Sequence, residues 1–188
     1  MKKLFPKKKL GETCEFVRGP FGGSLKKNCF KPKGIAVYEQ QHAIYNQFNE
    51  IRYFIDNNKF EELKRFELKA GDLIMSCSGT MVKVAIVPEG IVKGIINQAL
   101  LKLTPLSNLD AEYLKYWMDS NDFQDSLSKV TVGAAIKNVA SVKILKQIEL
   151  PFPNIEIQKQ IVALLDQAFT AIDQAKANLE KNIENAKE

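Results

Sequence analysis

The chain has one histidine, His42, and three cysteines, Cys14, Cys29 and Cys77, with no C-x-x-C pair among them. A lone histidine with scattered thiols does not supply the ligand set of a zinc site, and an odd number of dispersed cysteines is no disulfide scaffold. Also missing are G-x-G-x-x-G, a phosphate-binding P-loop and H-E-x-x-H, which removes the usual dinucleotide, nucleotide triphosphate and metalloprotease chemistries. No apolar run approaches the roughly 20 residues that cross a bilayer. Lys7, Lys8 and Lys9 stand where a signal peptide would carry its apolar stretch, so a cytoplasmic protein without membrane contact is expected. Cys77 sits in an apolar strand, where burial keeps a thiol inert. Catalysis is left without a nucleophile and base, a metal or a cofactor loop; a small enzyme with a dimerising tail would have to turn over unaided.

What is present is ordinary in amount and uneven in place. The 188 residues, 45% hydrophobic and 26% charged, suffice for one domain with a real core and an extension. The net charge is +5, yet residues 1–34 carry ten basic side chains against Glu12 and Glu15, whereas 35–153 hold 13 basic and 14 acidic residues. A basic segment on a near-neutral body has the pattern of a phosphate-binding face.

Gly and Pro punctuate Arg18 to Asn28 as a loop, after a short helix expected over Leu10 to Val17. Strands are expected over 34–38, 52–55, 72–77, 83–87, 91–103 and 147–150, and short helices over 59–66, 110–118, 122–129 and 139–145. Strands in a block with flanking helices make the body α+β, a globular domain with a mixed or antiparallel sheet. The domain boundary falls at Pro151 to Asn154, giving a body of residues 1–150 and a tail of 151–188.

Beyond Pro153 the tail has neither Pro nor Gly, and its apolar residues recur every eleven positions. Ile157, Ala168 and Leu179 form one series, Ile161, Ile172 and Ile183 a second, Leu164, Ala175 and Ala186 a third. Eleven residues make about three turns, so the seam stays on one side of a nearly straight helix. Asn154 is placed as its N-cap and Glu156 in its first turn. A rod of roughly 50 Å at ~1.5 Å per residue exceeds what a domain this size needs to cover its core. It requires a partner, and antiparallel pairing with a second copy is expected.

A duplex reader needs cations spaced along phosphates and planar amides or hydroxyls that meet base edges. Arg18, Lys26, Lys27 and Lys31 supply the former. Gln40, Gln41 and His42, closing the strand at Tyr38, supply the latter. Ser24 lies in the glycine loop, Ser78, Thr80 and Lys83 sit on another turn, and Thr131 and Lys137 flank Gly133. Their common placement in loops beside strands makes them the candidate DNA contacts.

Four segments, in order, resemble the specificity (S) subunits of type I restriction-modification systems. Arg18-Gly-Pro-Phe-Gly-Gly-Ser-Leu-Lys26 is similar to the family's early glycine loop, and Gly71-Asp-Leu-Ile-Met-Ser-Cys-Ser-Gly-Thr80 to its G-D-hydrophobic-S-G-T segment. Ile96-Asn97-Gln98-Ala-Leu-Leu is similar to its central N-Q strand, and Leu150-Pro-Phe-Pro-Asn-Ile-Glu-Ile-Gln-Lys-Gln-Ile-Val162 to the start of its conserved helix.

The resemblance implies a target recognition domain that reads half of a split double-stranded DNA site, joined to its counterpart by long helices. It implies methylation by separate modification subunits that use S-adenosylmethionine, and cleavage by an ATP-driven restriction subunit. No cofactor is then expected in this chain, which also lacks the N-P-P-[FY] or D-P-P-Y tetrapeptide of amino-methyltransferases. It departs from the family in having one recognition domain and one helix. A homodimer paired through the tail restores two readers and, by its two-fold symmetry, an interrupted palindromic target. A truncated S fragment that only dimerises or competes for partner subunits is the alternative.

Overall fold

The computed structural model describes residues 5–21, 23–78, 82–131 and 142–186. Its element order is β1 (Lys7–Lys9), β2 (Cys14–Arg18), β3 (Ile35–Tyr38), α1 (Gln40–Tyr45), β4 (Tyr53–Ile55), α2 (Asn57–Glu62), β5 (Leu73–Ser76), β6 (Val84–Ile86), β7 (Gly94–Ile96), β8 (Leu100–Pro105), α3 (Ala111–Asp119), α4 (Asn121–Thr131), α5 (Val142–Leu145), β9 (Glu149–Pro151) and α6 (Ile155–Asn185). Four strands pair antiparallel in the order β2-β8-β5-β6, three form a mixed sheet β4-β3-β7, and β1 pairs with β9. The body is α+β, followed by one long helix, as expected.

The four-stranded sheet carries a core on each face, which is why β5 and β6 read as continuous apolar runs rather than as alternation. In β5, Leu73 and Met75 enter a core shared with α3, α4 and α5, while Ile74 enters a second core against the three-stranded sheet. In β8, Leu101 and Leu103 face the first core and Leu100 the second. Ahead of β5, the buried Asp72 carboxylate accepts from Lys69 N at 2.8 Å and Thr104 Oγ1 at 2.5 Å, with Lys102 Nζ 3.7 Å away. The Gly-Asp pair at 71–72 therefore builds a turn, with Gly71 at φ +82°.

Three expectations are corrected. Leu10 to Val17 is not a helix: a 3-10 turn over Leu10–Glu12 leads directly into β2. The apolar run from Ile91 to Leu103 is two strands in different sheets, broken at Asn97 to Ala99. The helix expected over 59–66 starts earlier, at Asn57, with Asp56 as its cap, the carboxylate accepting from Lys59 N at 2.9 Å.

The start of α6 is as expected, with the Asn154 side chain accepting from Ile157 N at 3.0 Å. Its fastening was not foreseen. Gln158, wholly buried, donates Nε2 to the carbonyls of Pro153 (2.9 Å) and Asn108 (3.1 Å) and accepts from Asp110 N at 2.9 Å. Two of these bonds tie the helix to the segment that caps α3, and the third holds the entry of α6 itself. Farther along, Tyr116 Oη donates to the Asp166 carboxylate and stacks on Phe169 with ring centroids 5.7 Å apart. Ile161 and Val162 pack against the first core, so this part of the seam belongs to the helix's own domain. From Leu164 onward the seam is exposed, with Ile172 at 58% and Leu179 at 61%.

Replacing Gln158 by Ala should leave one buried N–H and two carbonyls unpartnered, lowering unfolding stability by about 2 to 4 kcal/mol. Urea denaturation checks this, and a change below about 0.5 kcal/mol would remove the clamp role.

Candidate nucleic-acid interface

The strand registers bring four segments to one end of the body. The last residue of β2, Arg18, lies opposite Leu101 near the start of β8, and the last residue of β5, Ser76, lies opposite Leu100. The β5–β6 hairpin turns at this end, Met75 pairing with Val84. Across the second core, β3 runs parallel to β7 and ends there too, Tyr38 beside Ile96. The ends of β2 and β3, the hairpin and the β7–β8 connection therefore converge.

Backbone hydrogen bonds knit them together. The Leu100 carbonyl accepts from Gly19 N at 2.9 Å and from the Arg18 guanidinium at 2.9 Å. Cys77 N donates to Ala99 O at 2.8 Å, and Asn97 N to Tyr38 O at 2.9 Å. The Asn97 side chain turns the connection by accepting from Ala99 N at 2.9 Å. Gly19 is required by proximity, because a Cβ there would lie 1.8 Å from the Asn97 carbonyl oxygen. In the hairpin, Ser76 Oγ accepts from Lys83 N at 3.0 Å, and Val82 takes a positive φ of 65°, a conformation β-branched residues rarely adopt. The three body motifs are thus one structural unit.

The candidate contacts divide on this frame. Arg18 stands at the stem of the glycine loop, half-buried, with one N–H spent on Leu100. Ser24 closes that loop, its N–H donating to Phe21 O at 2.8 Å. Lys26 and Lys27 are exposed, and Phe30 just beyond them stacks on Tyr53 with centroids 4.4 Å apart, which draws this turn to the start of β4. The start of β4 is also at the converging end, since Tyr53 pairs with Val37. Gln40 and Gln41 are half-buried and open α1 instead of lying in a loop. Among the described residues, Gln40 Oε1 has no hydrogen-bond partner. Ser78 is half-buried and Lys83 exposed on the hairpin. Thr80 and Lys137, and the side chain of Thr131, lie outside the described residues.

Two expectations change. His42 is fully buried, its Nδ1 accepting from Glu39 N at 2.9 Å and its Nε2 lying 3.1 Å from Glu50 O. Both ring nitrogens are thus engaged with the backbone, so the ring is a strut inside α1 and is withdrawn from any base edge. The basic N-terminal segment is also divided. Lys7–Lys9 form β1 against β9, beside the root of α6, and Lys31 pairs with Asp56 at 3.6 Å, beyond the far end of β4. The cations at the converging end are Arg18, Lys26, Lys27, Lys83 and one the sequence reading missed, Arg52. Exposed and immediately ahead of β4, Arg52 lies over the Tyr53 ring at 4.7 Å and donates to its hydroxyl at 2.6 Å. It had been absorbed into the expected strand, as had Gln98, exposed on the β7–β8 turn.

Among the described residues at this end, none is set up as a nucleophile. Burial pushes the Cys77 thiol up to about 11 against the opposing pull of Arg18, so it stays protonated at neutral pH. Among the described residues, no cluster of His, Cys, Asp and Glu could hold a metal, and no helix is long and apolar enough to cross a membrane.

Comparison with known proteins agrees with this arrangement. Residues 2–185 match the family model described as the type I restriction modification DNA specificity domain. The specificity subunit of the type I restriction enzyme EcoBI from Escherichia coli is 28% identical over 126 residues, 66% of this chain and 25% of that protein. Among solved structures, a chain described under complex assembly and conformational transition of the type I R-M system superposes with a TM-score of 0.73 at 20% identity, covering 98% of this chain and 44% of that one. The HsdS subunit from Thermoanaerobacter tengcongensis gives 0.70 at 19% identity, covering 94% and 40%. The chain thus spans less than half the length of these relatives. With the glycine loop, the sheet-end motifs and the long helix all inside the matched region, the chain belongs to the type I restriction modification DNA specificity domain family.

Proposed function

We propose that this chain is the sequence-reading component of a type I restriction-modification complex, with one target recognition domain that contacts half of a split DNA site and docks modification subunits. The observation that carries this reading is the convergence of four loop segments, with exposed Arg52, Lys26, Lys27 and Lys83 and the amides of Gln40, Gln41 and Gln98, on one rigid sheet end. Lysines and arginines there neutralise phosphates, while the planar amides suit bidentate contact with adenine. The chain itself carries no cofactor on this account. S-adenosylmethionine belongs to the modification subunit and ATP to the restriction subunit.

Support for a second copy comes from α6. Beyond Leu164, the chain's own body leaves Ile172, Leu179 and Ile183 exposed on one seam, and Phe169 turns toward Tyr116. An antiparallel pair of these helices would cover the seam and place two readers in opposed orientation. The 31 residues of α6 span roughly 46 Å at ~1.5 Å per residue. At ~3.4 Å per base pair this limits half-site centres to about 14 base pairs apart, and overlap of the helices shortens the distance.

Two outcomes follow. Ile172→Asp or Leu179→Asp forces a charge into the seam at a cost of several kcal/mol, and light scattering should then report a monomer where the unaltered chain is a dimer. An unchanged dimer would reject the helix assignment. In a complex reconstituted with the modification subunit, Gln40→Ala with Gln41→Ala should reduce methylation of the target by about tenfold or more, each good bidentate contact being worth ~1 to 3 kcal/mol. Retained methylation with the same site choice would exclude these glutamines as readers. An unaltered complex that methylates no defined site would favour the competing-fragment alternative.

A further inference from the structure

The glycine loop presents a feature that phosphate neutralisation and amide readout leave unexplained. Phe21 is 89% exposed, the most exposed large apolar side chain among the described residues. It is held there by construction. Ahead of it, Gly19 N is bonded to Leu100 O at 2.9 Å and Pro20 is buried, its ring restricting the backbone. After it, Ser24 N closes a turn on Phe21 O at 2.8 Å, and Leu25 is buried in the second core. Both stems are anchored and the ring stands at the tip.

Its surroundings decide what it meets. Of the other large apolar groups exposed on the described body, Val92 precedes the start of β7, Leu106 follows the end of β8, and Tyr45 is the last residue of α1. The β7 start and the β8 end are both opposite the converging end. Among the described residues, Phe21 is thus the fully exposed apolar ring at this end, surrounded by cations and amides, while the stacked pair Phe30 and Tyr53 beside the same loop is half-buried. A protein interface places its aromatic anchors within an apolar core. A base stack accepts a lone apolar side chain between neighbouring steps while the surrounding cations hold the phosphates.

Resting on the DNA-reading role proposed above, we infer that Phe21 is an apolar wedge that packs against the base stack of the bound duplex. It supplies a contact that no charge or hydrogen bond provides. Through the fixed stem at Gly19 and Leu100, it sets the depth at which the neighbouring loops sit in the groove. Such a contact favours steps that unstack easily, and so contributes preference at a position without hydrogen-bond readout.

The test is binding of the full chain, alone and reconstituted with the modification subunit, to a duplex carrying the methylated target over a range of KCl concentrations. Phe21→Ala should weaken DNA binding by about tenfold, within the range of aromatic–base contacts, and should leave the slope of log affinity against log salt unchanged because no phosphate contact is removed. Phe21→Trp should restore affinity. The thermal midpoint should not move in either variant, the ring being outside the core. Equal affinity of Phe21→Ala and the unaltered chain would overturn the wedge while leaving the reading role intact. A fall in the salt slope would overturn it in favour of a merely electrostatic loop. Loss of modification-subunit binding, with the chain's own DNA affinity unchanged, would assign the ring to a protein contact and overturn it as well. Failure of the unaltered complex to bind any duplex would remove the reading role itself.

Discussion

The carbonyl oxygen of Leu100 accepts both the Gly19 amide and the Arg18 guanidinium, and most of the converging end is organised around the short chain segment that carries it. One residue earlier, Ala99 O takes the Cys77 amide, and two residues before that Asn97 takes its place on Tyr38. The glycine loop, the β5–β6 hairpin and the end of β3 are thereby held to a common reference. Loops carry binding side chains usefully only when a rigid scaffold aims them. Here the scaffold is a sheet with a core on each face, and the β7–β8 connection transmits its order to the loops. Gly19 shows how tight the arrangement is, since there is no room for even a methyl group against Asn97.

A second point of rigidity lies at the other end of the chain. Gln158 fastens the root of α6 to Asp110, Asn108 and Pro153, and the Tyr116 contacts with Asp166 and Phe169 extend that hold by two turns. The direction in which the rod leaves the body is thus set by polar contacts as well as by Ile161 and Val162 in the core. In the proposed dimer, a rod of fixed direction joined to a body with a fixed loop end would relate one reader to the other by geometry alone.

Much of this was legible in the sequence wherever the signal was local. Asn154 as a cap, the eleven-residue seam, the α+β body and the four motif segments all rest on short-range patterns. The failures came where tertiary context decides. Ile91 to Leu103 reads as one strand because both halves are rich in buried apolar residues; they are parted at Asn97, whose side chain accepts from Ala99 N and turns the chain. Leu10 to Val17 alternates too little to separate a short helix from a strand at a sheet edge. His42 has the chemistry of a base reader, but its burial depends on Glu50 and Phe48, which fold back over it from later in the chain. The basic segment was contiguous in sequence and is divided in space, because β1 pairs with β9 while the loop after Arg18 lies at the opposite end of β2. Arg52 and Gln98 were hidden inside expected strands. The polar residues of the motifs proved as often structural as exposed: Asp72, Ser76, Asn97 and Gln158 all serve the fold.

The central claim is that two copies of one reading end, related by the two-fold axis of paired α6 helices, measure a split site. Single-molecule sequencing of DNA methylated by the complex of this chain with its modification subunit tests it most directly. The account predicts an interrupted palindrome with identical half-sites, whose centres are no farther apart than about 14 base pairs given ~1.5 Å of helix rise per residue and ~3.4 Å per base pair. A continuous motif, or two unlike half-sites, would contradict it.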